Sequence, residues 1–497
     1  MAMWIALLMA AWAFTVYAVG TTRDRHDLIE SGDRAIHAVL GMTLLASAAL
    51  VAGLIGHDFT IRYVAVYTSV NLPQPYLVPA FWTGAHGSLL FAAVALAVVS
   101  TVLLFTSGRE RRIEMQLLVL LLTLLLAPLC IGFNPLARLD WVPVDGIGMH
   151  PQLQSTGAVL YPPLLYIAYA CYAVSAVLVI AGAMRRKIDG DGLATITRWT
   201  IVAWVFNSLG MTAGIWWVYH EPSRAARWAL FPLESGALLP WIASSVFLCV
   251  TVFQRSRGRI SPWTATLVPA AFLLAIAAGV LSVPTSQVRP GEVARSPFFI
   301  ALSVLIVATI VSAGGFLSSR LRTIETIARP ARRYALALAG IALAMLAAPI
   351  AGTAFRIERD LVIEASRPAA MTDGSGARWT IGSQGLSSYN VLNRQVTALA
   401  LDIEREGVPL GLISTETRQY VDVQGAPVFR PSSEPGIRSS IREDIYVVLG
   451  EIAADDSATL HVAVNPLMIW LWLGGALLPV GVVALTWTPR PKSGGAS

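Results

Sequence analysis

Apolar residues fall in long unbroken runs over roughly the first 354 positions and again near the C-terminus, separated by short polar segments. A membrane-spanning helix needs about 17–25 apolar residues to cross a hydrocarbon core of roughly 30 Å. Eleven runs meet that requirement, at about residues 2–19, 36–56, 86–106, 115–133, 158–183, 199–218, 237–254, 263–283, 297–316, 334–354 and 467–488. Backbone groups in lipid must be satisfied within their own segment, so each run is expected to be a helix. The first lacks the basic flank of a cleaved signal peptide and is expected to be retained. Between 355 and 466 the pattern changes. Apolar and polar residues alternate over short stretches, as in Thr397 to Ile403, Gln419 to Val423, Ile445 to Leu449 and Thr459 to Val464, with Gly, Pro and Ser between them. That period of two is the signature of half-buried strands. The expected fold is an α-helical polytopic membrane protein of about 11 transmembrane helices with one small extracytoplasmic β domain.

Charge gives these elements a direction. The 36 Lys+Arg and 30 Asp+Glu can all be placed outside the eleven runs. The segments after runs 1, 3, 5, 7 and 9, plus the tail, hold 20 Lys+Arg, whereas those after runs 2, 4, 6 and 8 hold six. Cytoplasmic loops carry the excess of Lys and Arg, so the N-terminus is expected outside, the C-terminus in the cytoplasm, and segment 355–466 outside. That segment has 10 Arg against 15 Asp+Glu. The formal charge of +6 therefore reflects topology and not a basic nucleic-acid-binding face. Composition agrees, since 55% of residues are hydrophobic and only 13% charged, about half the charged share of a soluble domain. Cys130, Cys171 and Cys249 lie in apolar runs and form no Cys-x-x-Cys, zinc or disulfide pattern. The expected organisation is 1–354, ten helices with outer loops 57–87, 134–157, 219–236 and 284–296; 355–466, the β domain; and 467–497, the last helix and cytoplasmic tail.

His57, His86, His150 and His220 fall near predicted outer boundaries, together with Trp82, Trp141, Trp216, Trp217, Trp228, Trp241, Trp470 and Trp472. Two interpretations are open: an interfacial aromatic belt, or a flat apolar ligand held near the outer leaflet with His or Tyr as an iron ligand.

The order of local motifs resembles the CcmF-type cytochrome c haem lyases. Tyr67-Thr-Ser-Val-Asn-Leu-Pro-Gln-Pro-Tyr76 and Trp82-Thr-Gly-Ala-His-Gly-Ser-Leu-Leu90 are similar to that family's early signature. Tyr161-Pro-Pro-Leu-Leu-Tyr166 is similar to its His-Pro-Pro-Leu-Leu-Tyr element, and Gly214-Ile-Trp-Trp-Val-Tyr-His-Glu221 through Pro232-Leu-Glu234 to Leu239-Pro-Trp241 to its tryptophan-rich haem-handling loop. Thr415-Glu-Thr-Arg-Gln-Tyr420, Asp444-Ile-Tyr-Val-Val-Leu-Gly-Glu451 and Asn465-Pro-Leu467 with Trp470, Trp472, Gly474 and Gly475 match later elements.

The resemblance implies cytochrome c maturation. Haem would be handled at the outer face of the cell inner (cytoplasmic) membrane and attached covalently to the Cys-x-x-Cys-His of apocytochrome c, with a haem-delivery protein and other maturation subunits as partners. The chain itself contains no Cys-x-x-Cys-His and would be a handler. It also departs from the family at the ligand positions. Tyr161 stands where the family has its first external axial histidine, Cys249 where an intramembrane histidine is expected, Glu292 near the second external histidine, and Leu338 in run 10. Arg224, Ala225 and Ala226, then Trp228, Leu230, Phe231 and Pro232, replace most of the stacking loop. The candidate haem-binding residues are thus Tyr161, His86, His150, His220, Trp216, Trp217 and Trp228, with Tyr161 the candidate for the iron. The chain is then a haem lyase component if this altered site is active. The alternatives are a divergent, non-ligating paralogue acting as scaffold or docking subunit, or a haem or small-molecule transporter.

Overall fold

The computed structural model describes residues 1–107, 111–185, 190–221, 232–254, 330–352, 355–364, 367–373, 376–453 and 457–486, with residues 188, 267, 269 and 455 between them. Ten helices lie in these segments: α1 (Ala2–Thr22), α2 (His26–Ile55), the short α3 (Arg62–Tyr67), α4 (Ala85–Ser107), α5 (Arg112–Ile131), α6 (Thr156–Met184), α7 (Gly190–Tyr219), α8 (Pro232–Gln254), α9 (Pro330–Gly352) and α10 (Met468–Thr486). Six of them, α1, α2, α4, α5, α6 and α7, are long and apolar enough to cross a membrane. The chain is a polytopic membrane protein. The apolar stretches of α8, α9 and α10 are shorter, at Pro240–Thr251, Ala337–Pro349 and Met468–Ala484. Apart from residues 267 and 269, the runs at 263–283 and 297–316 lie outside the described residues.

Two boundaries differ markedly from hydropathy, and α7 starts at Gly190, nine positions before its run. The second run starts at residue 36, but α2 begins ten positions earlier, at His26. Its polar first turns are held by packing: Tyr17 of α1 donates a hydrogen bond to Asp33 at 2.6 Å, and its ring lies over Gly32, where a Cβ would be 2.9 Å away. A hydropathy window registers the lipid-soluble part of a helix, not its wet end.

Nine strands form the C-terminal β domain: β1 (Ile357–Ile363), β2 (Ala369–Thr372), β3 (Arg378–Val391), β4 (Arg394–Arg405), β5 (Val408–Tyr420), β6 (Ser432–Glu434), β7 (Gly436–Ser439), β8 (Glu443–Ile452) and β9 (Ala458–Pro466). They make two antiparallel sheets, ordered β1-β9-β8-β7 and β2-β3-β4-β5-β6. Trp379, Ile381, Leu401 and Ile403 from one sheet share a core with Val447 and Leu460 from the other. Three of the four alternating stretches are strands. The fourth, Gln419 to Val423, runs off the end of β5 into a turn in which Val421 bridges Pro427.

From Asp444 to Val447, β8 is buried on both faces. Ile445, Val447 and Leu449 point into the sandwich core, while Asp444 and Tyr446, also buried, face the helices. The β domain is therefore docked against the helical part at the N-terminal ends of α6 and α10 and the C-terminal end of α7.

Candidate functional site

The site is built where α6 and α7 meet. Ser155 caps α6, its hydroxyl accepting from the Ala158 backbone N–H, and fixes where the first turn begins. Gly157, in that turn, lies so close to α7 that a Cβ would be 2.4 Å from the Trp217 Cβ and 3.0 Å from the Trp216 ring. The absence of a side chain at Gly157 lets Tyr161, one turn on, stack on Trp217 with ring centroids 5.0 Å apart and planes at 18°. Offset stacking of this kind is the favourable geometry for two aromatic faces. The Trp217 indole N–H donates to the Gln152 carbonyl at 2.9 Å, which leaves the ring fully buried and its polar atom satisfied.

Tyr161 is 8% exposed, so it is an interior side chain and not a lipid-facing anchor. It borders a cavity of about 130 Å³ that is also lined by Trp82, Thr83, Ser88, Leu153 and Tyr166. A space of that size takes one aromatic ring or several waters; it does not take a macrocycle of four pyrroles. The Trp82 indole N–H is buried there and has no hydrogen-bond partner among the described residues. The Thr83 and Ser88 hydroxyls donate to the Ala80 and Trp82 carbonyls at 3.0 and 2.7 Å. The Trp-Thr-Gly-Ala-His-Gly segment itself is shaped by Tyr63. The Tyr63 hydroxyl meets the Ala80 and Phe81 carbonyls at 3.0 Å and accepts from the Gly84 N–H at 3.0 Å. A Cβ at Gly87 would fall 1.8 Å from the Phe81 carbonyl.

The other candidates divide. His220 follows the last residue of α7, and its ring lies on Trp216 with centroids 4.1 Å apart. Its Nδ1 meets the Trp216 carbonyl at 2.8 Å. A carbonyl only accepts, so Nδ1 carries the proton and Nε2 keeps the lone pair. Burial holds the imidazole below its ordinary value of 6.5, which favours that neutral form. A neutral imidazole oriented by an Nδ1–H···O=C bond is the usual arrangement of a metal-ligating histidine. His86 instead packs edge-on to Phe133 at 5.3 Å and beside Tyr63 at 6.4 Å. His150 is exposed and meets Phe429 of the β domain edge-on at 5.3 Å.

The structure thus brings Tyr161, Trp216, Trp217 and His220 together and gives His86 and His150 separate surroundings. Trp228, Arg224 and Glu292 lie outside the described residues. Among the described residues no three His, Cys, Asp or Glu side chains come together as a metal site.

Sequence reasoning did not anticipate the roof over this platform. The Tyr219 hydroxyl donates to Asp444 of β8 at 3.1 Å and accepts from Asn465 of β9 at 3.2 Å, and Ser432 of β6 reaches Glu221 at 3.5 Å. Farther along the junction the Asn393 amide, at the β3–β4 hairpin tip, donates to the Gln154 side-chain carbonyl at 3.1 Å. The individual motifs were legible; that they meet depends on cross-strand register.

Residues 82–284 match the Cytochrome C assembly protein family. Among similar proteins, the cytochrome c-type biogenesis protein CcmF of Pseudomonas fluorescens is 31% identical over 247 residues, which is 48% of this chain and 37% of that protein. The biogenesis protein NrfE of Haemophilus influenzae is 30% identical over 243 residues, covering 47% of this chain and 36% of the relative. CcmF of Escherichia coli is 28% identical over 324 residues, 62% and 48% of the two chains. The matched segments span less than half the length of these relatives. A solved structure titled cytochrome c heme lyase CcmF has the same fold, with a TM-score of 0.75, 17% identity and coverage of 98% of this chain and 97% of that one.

Proposed function

We propose that the chain is a CcmF-type member of the cytochrome c assembly protein family and acts in cytochrome c maturation, handling haem as a substrate at the outer face of the inner membrane for attachment to apocytochrome c. Eleven spans, an outer N-terminus and a cytoplasmic C-terminus complete this reading, supported by the bias of Lys and Arg among the loops. A haem-delivery protein and other maturation subunits are its expected partners.

The single observation that carries the proposal is the aromatic corner at the end of α7. Trp216 offers a ring face with the His220 imidazole laid against it, and the Nδ1 bond to the Trp216 carbonyl leaves Nε2 as donor. This geometry favours His220 over Tyr161 as the donor to iron. The Tyr161 phenol supports the Trp217 side of the platform by stacking and borders a cavity too small for the porphyrin. The platform residues orient the flat substrate and exclude water; the reacting thiols belong to the apocytochrome.

Purification from haem-replete cells tests this directly. The wild-type protein is expected to carry a Soret band that His220→Ala removes and added imidazole restores, while Tyr161→Phe retains it. A band lost only in Tyr161→Phe would return the iron to the phenol. A colourless wild-type preparation, together with normal holocytochrome c in cells lacking the protein, would overturn the function.

A further inference from the structure

Three segments that stand far apart in the sequence, at Tyr219, at Asp444 to Tyr446 and at Asn465 to Trp472, meet at one phenol. Asp444 and Asn465 are direct cross-strand partners in the β8–β9 ladder, so the Tyr219 oxygen is gripped from two adjacent strands, donating to one and accepting from the other. Its ring is held between Tyr446 of β8, at 5.4 Å, and Trp472 of α10, at 5.7 Å. Asp444 is fully buried, and burial raises its pKa; a buried carboxylate of this kind is costly unless a donor meets it.

From this geometry we infer that Tyr219 is a positioning residue through which the β domain sets the rotation of the α7 outer end, and with it the placement of Trp216, Trp217 and His220. The inference rests on the haem-handling reading of that corner. Trp216 and His220 are four residues apart and share a helix face. A slip of one residue rotates that face by about 100°, which would carry Trp216 away from its contact with Gly157 of α6, and His220 with it. The end of a helix is where backbone bonding is weakest, and here His220 already takes the Trp216 and Trp217 carbonyls at 3.2 Å. Past it the Glu221 N–H reaches back three residues to the Val218 carbonyl at 3.2 Å, a tighter and weaker closure than the α-helical bond. The phenol fixed by two strands supplies the constraint, and the pairing of donor and acceptor on one oxygen makes it directional.

The test uses the full chain in lipid nanodiscs, with hydrogen exchange over residues 211–221 and haemin titration followed at the Soret band. Tyr219→Phe and Asp444→Ala are expected to speed exchange in that peptide about tenfold, as the loss of a hydrogen bond to a charged group implies, and to weaken and broaden the Soret band. Asp444→Asn keeps a side-chain oxygen to accept from the phenol and is expected to restore both readouts. Unchanged exchange in Tyr219→Phe overturns the inference, as does a uniform rise across peptides of α1 to α5, which would mark general loss of structure. Locally faster exchange without any Soret band in the wild type would uphold the positioning role and sink the haem-handling reading.

Discussion

His220 shows how one residue acquires its chemistry from its neighbours. Its ring is half-buried against Trp216 and Tyr219, and one carbonyl decides which nitrogen keeps the proton. Because burial lowers its pKa, the unfolded chain takes up a proton below about pH 6.5 that the folded chain refuses. Stability is therefore expected to be flat above that pH and to fall as pH drops through it. His220→Gln should reduce this dependence, as measured by the difference in thermal midpoint between pH 7.5 and 5.5; an unchanged difference would place the titration elsewhere. The sequence placed four histidines near predicted outer boundaries and kept His86, His150 and His220 as candidates. What separated them was ring environment, which no linear pattern records.

At the scale of elements, hydropathy located nine of the expected helices among the described residues but not how they touch. The α6–α7 contact depends on Gly157, whose Cβ would strike the Trp217 Cβ and, at 2.7 Å, its Cα. A backbone neighbour cannot rotate away, so Gly157→Ala must push the helices apart or bend one. Overpacking of this kind costs about 1–3 kcal/mol, and the stack of Tyr161 on Trp217 is what opens. Thermal unfolding of the variant should show the loss, with a red shift in tryptophan emission as Trp217 meets solvent; wild-type emission and stability would mean the helices close the gap elsewhere. Strands were legible where one face is wet, as in Thr397 to Ile403. β8 was legible from Ile445 to Leu449, but the alternation assigns Asp444 and Tyr446 to solvent. The helices cover that face, and burial on a second side is a tertiary event.

Among the described residues, the helical part and the β domain meet along a polar seam. Tyr219, Glu221 and Gln154 stand on the helical side, with Asp444, Asn465, Ser432 and Asn393 opposite. Asn393 is buried and shares no partner with Tyr219. Asn393→Ala is expected to cost about 1 kcal/mol and to add to Tyr219→Phe within about 0.5 kcal/mol, as read from thermal midpoints of the singles and the double. Strong non-additivity would show that the seam opens as one unit. The sequence by itself determined the membrane helices, the β domain and the kinship of the motifs, because apolar run length, period-two alternation and motif order are properties of a linear chain. Only the tertiary structure decided which aromatic residues stack where α6 meets α7, which imidazole is held neutral against them, and which phenol ties that corner to the β domain. Those depend on distances between segments up to 246 positions apart, which are set by helix packing and strand register after the chain has folded.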